Sequence, residues 1–340
     1  MASRLKLHSL PRLTPVQYRR VAYVGLGSLA LIVLTGAAVR LTDSGLGCPD
    51  WPRCYGKALP PLSGHAVIEY SNRAVSGLVG VIAVLVFAAA FLRRPYRRDL
   101  AWLAATLPLG VVAQAVLGGF TVREHLAPGF VMAHFSLSMI VLIGAVALAW
   151  RSAHEPGSRP LAEDRLSVWA VRALLPLGAL AIFAGTAATA AGPHSGGITG
   201  QHVHRLTFEG RNTLTWVVHR HATIAALLGV AVIAVWFLHR RRGMIRTLEP
   251  LMVLGVLMAA QGLVGSVQYE LRLPSDMVWV HVALATATWL ALLWSTAAAG
   301  TLAPREARET VPGPDRLARP EPLVPAVPEP EGLSTPAAVK

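Results

Sequence analysis

Eight apolar stretches restrict this chain more than any other feature. They run near 21–41, 68–92, 100–121, 129–150, 167–190, 213–238, 247–268 and 277–299. Each is long enough to cross a bilayer core, which needs about 20 helical residues. Lipid offers no partners for unpaired backbone groups, so helices are the default conformation. Only 14% of the residues are charged and 54% are hydrophobic; a soluble domain carries about a quarter charged residues. The first stretch is too long for a signal peptide and lacks its small-residue cleavage site, so it reads as a span. The expected fold is an all-α integral membrane protein with eight transmembrane helices.

The formal charge of +13 invites a nucleic-acid reading, but its distribution points to topology instead. Basic residues crowd into alternate connections: Arg4, Lys6, Arg12, Arg19 and Arg20; Arg93, Arg94, Arg97 and Arg98; Arg151, Arg159 and Arg165; Arg240, Arg241, Arg242 and Arg246. The opposite connections hold few, among them Arg53, Lys57, Arg123, Arg205, Arg211 and Arg272. The positive-inside bias then places both termini in the cytoplasm and the first connection, with its cysteines, outside. The Pro-rich segment 300–340 reads as a disordered cytoplasmic tail, and no nucleic-acid partner is expected.

The sequence also repeats itself. A shift of 147 residues brings Asn72-Arg73 onto His219-Arg220, Gln114 and Gly118 onto Gln261 and Gly265, and His134 onto His281. One offset shared by three helices predicts two four-helix bundles related as parallel repeats about an axis along the membrane normal. The expected organisation is a cytoplasmic segment 1–20, a first half 21–150, a linker 151–166, a second half 167–299 and the tail. With this topology the motif residues lie in the first turns of four helices that enter from outside, all near one depth.

Intramembrane ionisable groups are costly and tend to mark function. A lone histidine is often a packing residue, but His219 and His281 share a depth on the second and fourth helices of one bundle. Facing side chains in such a bundle surround a central cofactor, and two imidazoles suit low-spin haem b with two histidine ligands. Zinc or copper would want further donors, which are not evident nearby. Arg73 and Arg220 follow the paired positions; haem propionates would engage them through paired hydrogen bonds, and snorkelling to the headgroups is the alternative. His221, two residues from His219, points to another face and reads as structural. His194, His202 and His204 fall in an outer loop, where the last two could bind metal or stand in solvent.

The first half departs from this symmetry. Asn72 replaces a histidine, leaving His134 as a single protein ligand and one face of an iron free for chemistry. Glu69 lies one helical turn before Asn72, where it could move protons or sit solvated at a helix start. The only cysteines, Cys48 and Cys54, share the first outer loop, where an oxidising compartment favours a disulfide. The pair could be a loop staple or a redox-active dithiol.

Taken together these residues resemble the heme A synthase family. The run Arg40-Leu41-Thr42-Asp43-Ser44-Gly45-Leu46-Gly47-Cys48-Pro49-Asp50-Trp51-Pro52-Arg53-Cys54 looks like that family's first outer loop. Glu69-Tyr70-Ser71-Asn72-Arg73 matches its Glu-x-x-His-Arg, apart from Asn72, and His219-Arg220 the counterpart in the second half. Gly192-Pro193-His194-Ser195-Gly196 looks like its third outer loop. The resemblance implies an oxidoreductase of the plasma membrane that converts the C8 methyl of haem O to the formyl group of haem A. It implies haem b ligated by His219 and His281, and substrate haem O near His134 and Glu69. It also implies a heme O synthase and cytochrome oxidase assembly factors as partners, alongside membrane lipid, and leaves the oligomeric state open. The competing readings are a cytochrome b-like electron carrier and a haem transporter.

Overall fold

The computed structural model describes residues 12–162, 164–208 and 212–302. The segment expected to form the tail lies outside the described residues from 303 onward, as do the first eleven residues. Eight helices are long and apolar enough to cross a membrane. They are α1 (Pro15–Leu41), α2 (Gly64–Leu92), α3 (Arg98–Arg123), α4 (Pro128–Ala153), α5 (Arg165–Ala191), α6 (Thr213–Arg241), α7 (Ile245–Glu270) and α8 (Ser275–Ala298). The one pair of strands among the described residues is a two-residue parallel match of Leu161–Ala162 with Thr301–Leu302, beside isolated bridges of Leu13 with Arg93 and Cys54 with Lys57.

Most helices start a little earlier than the apolar runs, and in α1 and α5 a polar side chain caps the first turn. Thr14 and Gln17 form a reciprocal capping box that starts α1 six residues before the apolar run. Asp164 accepts from the amides of Leu166 and Ser167 to start α5.

The helices pack as two rings of four. In the first, α1 meets α2, α2 meets α3, α3 meets α4 and α4 returns to α1, which puts α2 opposite α4. In the second, α5 to α8 follow the same order, with α6 opposite α8. The rings join through α1 and α4 on one side and α5 and α8 on the other. Two tryptophans pin this seam: Trp289 Nε1 donates to Met139 O and Trp279 Nε1 to Leu34 O, each at 3.0 Å. Outward faces carry Leu78, Leu109, Ile140, Val230 and Val256, all exposed as lipid contact requires.

The end away from the cysteine loop is fastened by arginine. Arg93 is fully buried and bonds to Glu155 and to the carbonyl of Pro95. Arg97 grips Asp99 at 2.8 Å, and Arg159 reaches the same oxygen at 2.7 Å. Backbone bonds from Leu13 to Leu92 and from Arg94 back to Leu13 tie the entry of α1 to the exit of α2. The basic connections therefore staple helix ends as well as carrying charge.

Candidate functional site

Three motif histidines occupy the same place on three helices. His134, His219 and His281 each lie six residues past the first residue of α4, α6 and α8, about 9 Å along the axis at 1.5 Å per residue. Asn72 sits eight residues into α2. All four are therefore at the end of the bundle that bears the cysteine loop.

The constant spacing of glutamine, glycine and histidine has a structural reason. Gln114 Nε2 donates to His134 O at 3.1 Å and to Ser138 Oγ at 2.7 Å. Gln261 Nε2 donates to His281 O at 3.2 Å and approaches His281 Nε2 at 3.0 Å. One turn further along, a Cβ on Gly118 would stand 3.2 Å from His134 Cε1, and one on Gly265 3.0 Å from His281 Cε1. In each half a side chain bonds the backbone that carries the imidazole while a bare glycine makes room for its ring. The Nδ1 atoms of both His134 and His281 are buried without a hydrogen-bond partner.

Surroundings of the remaining motif residues differ between the halves. Asn72 Oδ1 accepts from Thr35 Oγ1 on α1 at 2.8 Å. His219 is exposed beside Tyr269, ring centroids 6.4 Å apart. The imidazole near His281 is instead that of His221, at 6.2 Å between centroids. His221 Nδ1 bonds Ala181 O at 2.9 Å, and its ring lies against Gly185. Two residues from His219, His221 lies on another face of α6, and that face looks toward His281, with the small residue at 185 making room for its ring. Arg220 lies over the Trp216 ring at 5.0 Å.

Glu69 is buried, with only 5% of its surface exposed. Its Oε1 receives Arg73 Nη2 at 2.5 Å and its Oε2 the amide of Cys48 at 2.6 Å. Arg73 also donates to the carbonyls of Asp50, Arg53 and Cys48. One ion pair on the first turns of α2 thus holds the cysteine loop at Cys48, Asp50 and Arg53. The loop closes on itself through the Cys48–Cys54 disulfide and through Asp50, whose carboxylate accepts from the amides of Tyr55 and Gly56. Those amides, Gly56 first, hold the Asp50 carboxylate below its usual range. A Cβ on Gly47 would stand 2.2 Å from His65 O, so only glycine lets the loop lie this close to α2. Trp51 covers Gly119 of α3.

The loop 192–208 meets the cysteine loop across the seam. Gly45 donates to Gly196 O at 2.7 Å, and His194 Nε2 bonds Leu273 O at 2.7 Å, while His202 and His204 are exposed. Among the described residues no group of three or more metal-ligating side chains gathers.

The sequence profile of the COX15-CtaA family, described as cytochrome oxidase assembly protein, matches residues 19–67 and 63–195. A protein named heme A synthase from an Exiguobacterium species is 32% identical over 120 residues, covering 35% of this chain and 40% of that protein. A heme A synthase from Halalkalibacterium halodurans is 31% identical over 122 residues, covering 35% and 41%. One from Bacillus cereus is 33% identical over 122 residues, covering 35% and 39%. The matched stretch thus spans about two fifths of these curated relatives. With more than half of its length matched by the profile, including the cysteine loop and the Glu69–Arg73 turn that clamps it, the chain belongs to the COX15-CtaA family of cytochrome oxidase assembly proteins.

Proposed function

We propose that this chain is a heme A synthase, oxidising the C8 methyl of haem O through an alcohol to the formyl group of haem A. The observation that carries this reading is the burial of Glu69 beneath a disulfide loop, on the helix opposite the one that bears His134. Taking hydrogen from a methyl group requires somewhere for a proton to go, whereas an electron carrier has no need of a buried carboxylate. Membership of the family and the similarity to proteins named heme A synthase support the same conclusion.

The donor set fits haem. His134 and His281 each present an imidazole with a buried, unpartnered nitrogen, and no thiolate or carboxylate cluster competes among the described residues. His281 with His219 would hold a resident haem b, with Arg220 near it, and that group supplies electron transfer when bound. His134 would orient the substrate haem O in the first half, with Asn72 and Arg73 on the facing helix. Glu69 takes up a proton at a carboxylate oxygen, and Arg73 keeps that carboxylate pointed away from lipid. The disulfide loop, anchored by Arg73 and Trp51, covers Ala66 and the Glu69 carboxylate on the first turns of α2 and would keep bulk water from them.

Charge asymmetry supports cytoplasmic termini and an extracytoplasmic cysteine loop in the plasma membrane. Haem O would come from a heme O synthase, and haem A would pass to oxidase assembly factors. Co-expression with a heme O synthase, followed by extraction and chromatography of the haems, tests the function. Haem A should accumulate. Recovery of haem O and haem b alone would return the chain to the electron-carrier reading.

A further inference from the structure

Among the described residues, two arginines at the seam between the rings, Arg40 and Arg205, have no carboxylate within 4.0 Å. Arg40, at the end of α1, donates from Nε to His194 O at 3.1 Å and from Nη2 to Thr189 O at 3.0 Å. Arg205 Nη2 approaches the same Thr189 oxygen at 3.4 Å. Both side chains are half-buried. Among the described residues, every ion pair within 4.0 Å lies elsewhere. Thr189 is in the last turn of α5, whose C-terminal dipole offers about half a negative charge. Two full cations exceed that, so the described residues leave a net positive charge on this half-buried site. Burial holds the Arg205 guanidinium below its usual range.

The location is specific. Thr189 stands one turn beyond Gly185 on α5 and bonds back to its carbonyl at 3.0 Å. Gly185 lies against His221, whose ring faces that of His281. The guanidinium groups are therefore about one helical turn, roughly 5–6 Å, nearer the cysteine loop than the His221–His281 pair. The two arginines expected to meet propionates are otherwise engaged. Arg73 serves Glu69 and three backbone carbonyls, and Arg220 lies over Trp216.

We propose that Arg40 and Arg205 form a carboxylate clamp, built from both halves of the chain, for the propionates of the haem held at His281. The proposal rests on the haem b reading above. Guanidinium forks match carboxylates through paired, charge-assisted hydrogen bonds, and an anionic lipid phosphate is the other source of similar chemistry. The experiment uses the full-length protein purified with its haem, comparing wild type with Arg40→Gln, Arg205→Gln and Arg40→Lys. Haem loss to an excess of a soluble apo-haemoprotein, the midpoint potential of the haem and co-purified phospholipid are measured together. Arg205→Gln, in a loop, should speed haem loss about tenfold or more and lower the midpoint potential, since removing a cation disfavours the reduced state. Arg40→Gln should do the same, and Arg40→Lys should recover much of the potential. Wild-type haem loss and potential in both glutamine variants would overturn the clamp while leaving the haem b reading intact. Loss of bound anionic lipid with the haem unchanged would also overturn it, in favour of a headgroup site. A haem spectrum that survives His281→Ala would instead refute the haem b reading itself.

Discussion

The imidazoles of His221 on α6 and His281 on α8 stand nearly edge to face, 6.2 Å between centroids, while His219 stands outside that pair beside Tyr269. His221 is already engaged with Ala181 O on α5, so it behaves as a strut between helices. His281→Ala and His219→Ala should each remove most of the haem b absorbance of the purified protein. His221→Ala should retain the spectrum and lower thermal stability by about 1–3 kcal/mol, the cost of a lost buried bond and ring. Loss of haem from His221→Ala with retention in His219→Ala would make His221 the partner of His281.

The first half should affect turnover without controlling the resident haem. Glu69→Gln keeps the volume of the side chain and removes its charge, and His134→Ala removes the imidazole of α4. Both variants should keep haem b yet form haem A about 10²–10⁴-fold more slowly, with the alcohol intermediate accumulating in Glu69→Gln. Chromatography of extracted haems checks this, and near-normal haem A from both variants would move the chemistry elsewhere.

The cysteine loop should be oxidised and sensitive to acid. Thiol labelling of isolated membranes should detect Cys48 and Cys54 only after reduction. The Asp50 carboxylate has a folded pKa below its unfolded one, owing to the amides of Gly56 and Tyr55. Its contribution is therefore present above the unfolded value near about 4 and is lost as pH falls through the lower folded value. Protease cleavage within 48–63 should rise in that acidic range, and Asp50→Asn should show the rise already at neutral pH.

The two glycines beside the motif histidines should behave alike. Gly118→Ala and Gly265→Ala each push a methyl group into an imidazole, at 3.2 and 3.0 Å from Cε1 respectively. Overpacking of this kind costs about 1–3 kcal/mol. Gly265→Ala should disturb the haem b spectrum and Gly118→Ala should lower haem A formation, so that one change separates the two halves by readout. A spectrum changed equally by both would contradict that division.

Much of this was legible in the sequence because membrane helices are constrained by length and by an apolar surface. All eight helices fall where the apolar runs placed them, and at α1 and α5 the caps Thr14 and Asp164 set starts that the apolar pattern alone does not mark. The offset between Gln114–His134 and Gln261–His281 was visible because the same contact recurs twice. Arg73 was harder to read. A guanidinium can serve a propionate or a loop, and only three-dimensional proximity reveals the carbonyls of Asp50, Arg53 and Cys48 around it. The charge pattern reads Arg93 as topological, yet its side chain is buried at the end of α2, paired with the half-exposed Glu155. His221 and Arg205 depend on contacts with α5 and α1 that no helical periodicity records.

The bond from the Gly45 amide to Gly196 O and the reach of Arg40 to Thr189 and His194 also bear on biogenesis. A chain emerging from the ribosome makes α1 to α4 first, and the partners of Gly45 and Arg40 have not yet been translated. An amide and a guanidinium left half-buried without partners are costly. The first four helices should therefore lack these bonds until α5 and the loop after it are present. The edge of the cysteine loop at Gly45 then closes only with Gly196, so a chain ending after α4 should leave that edge open.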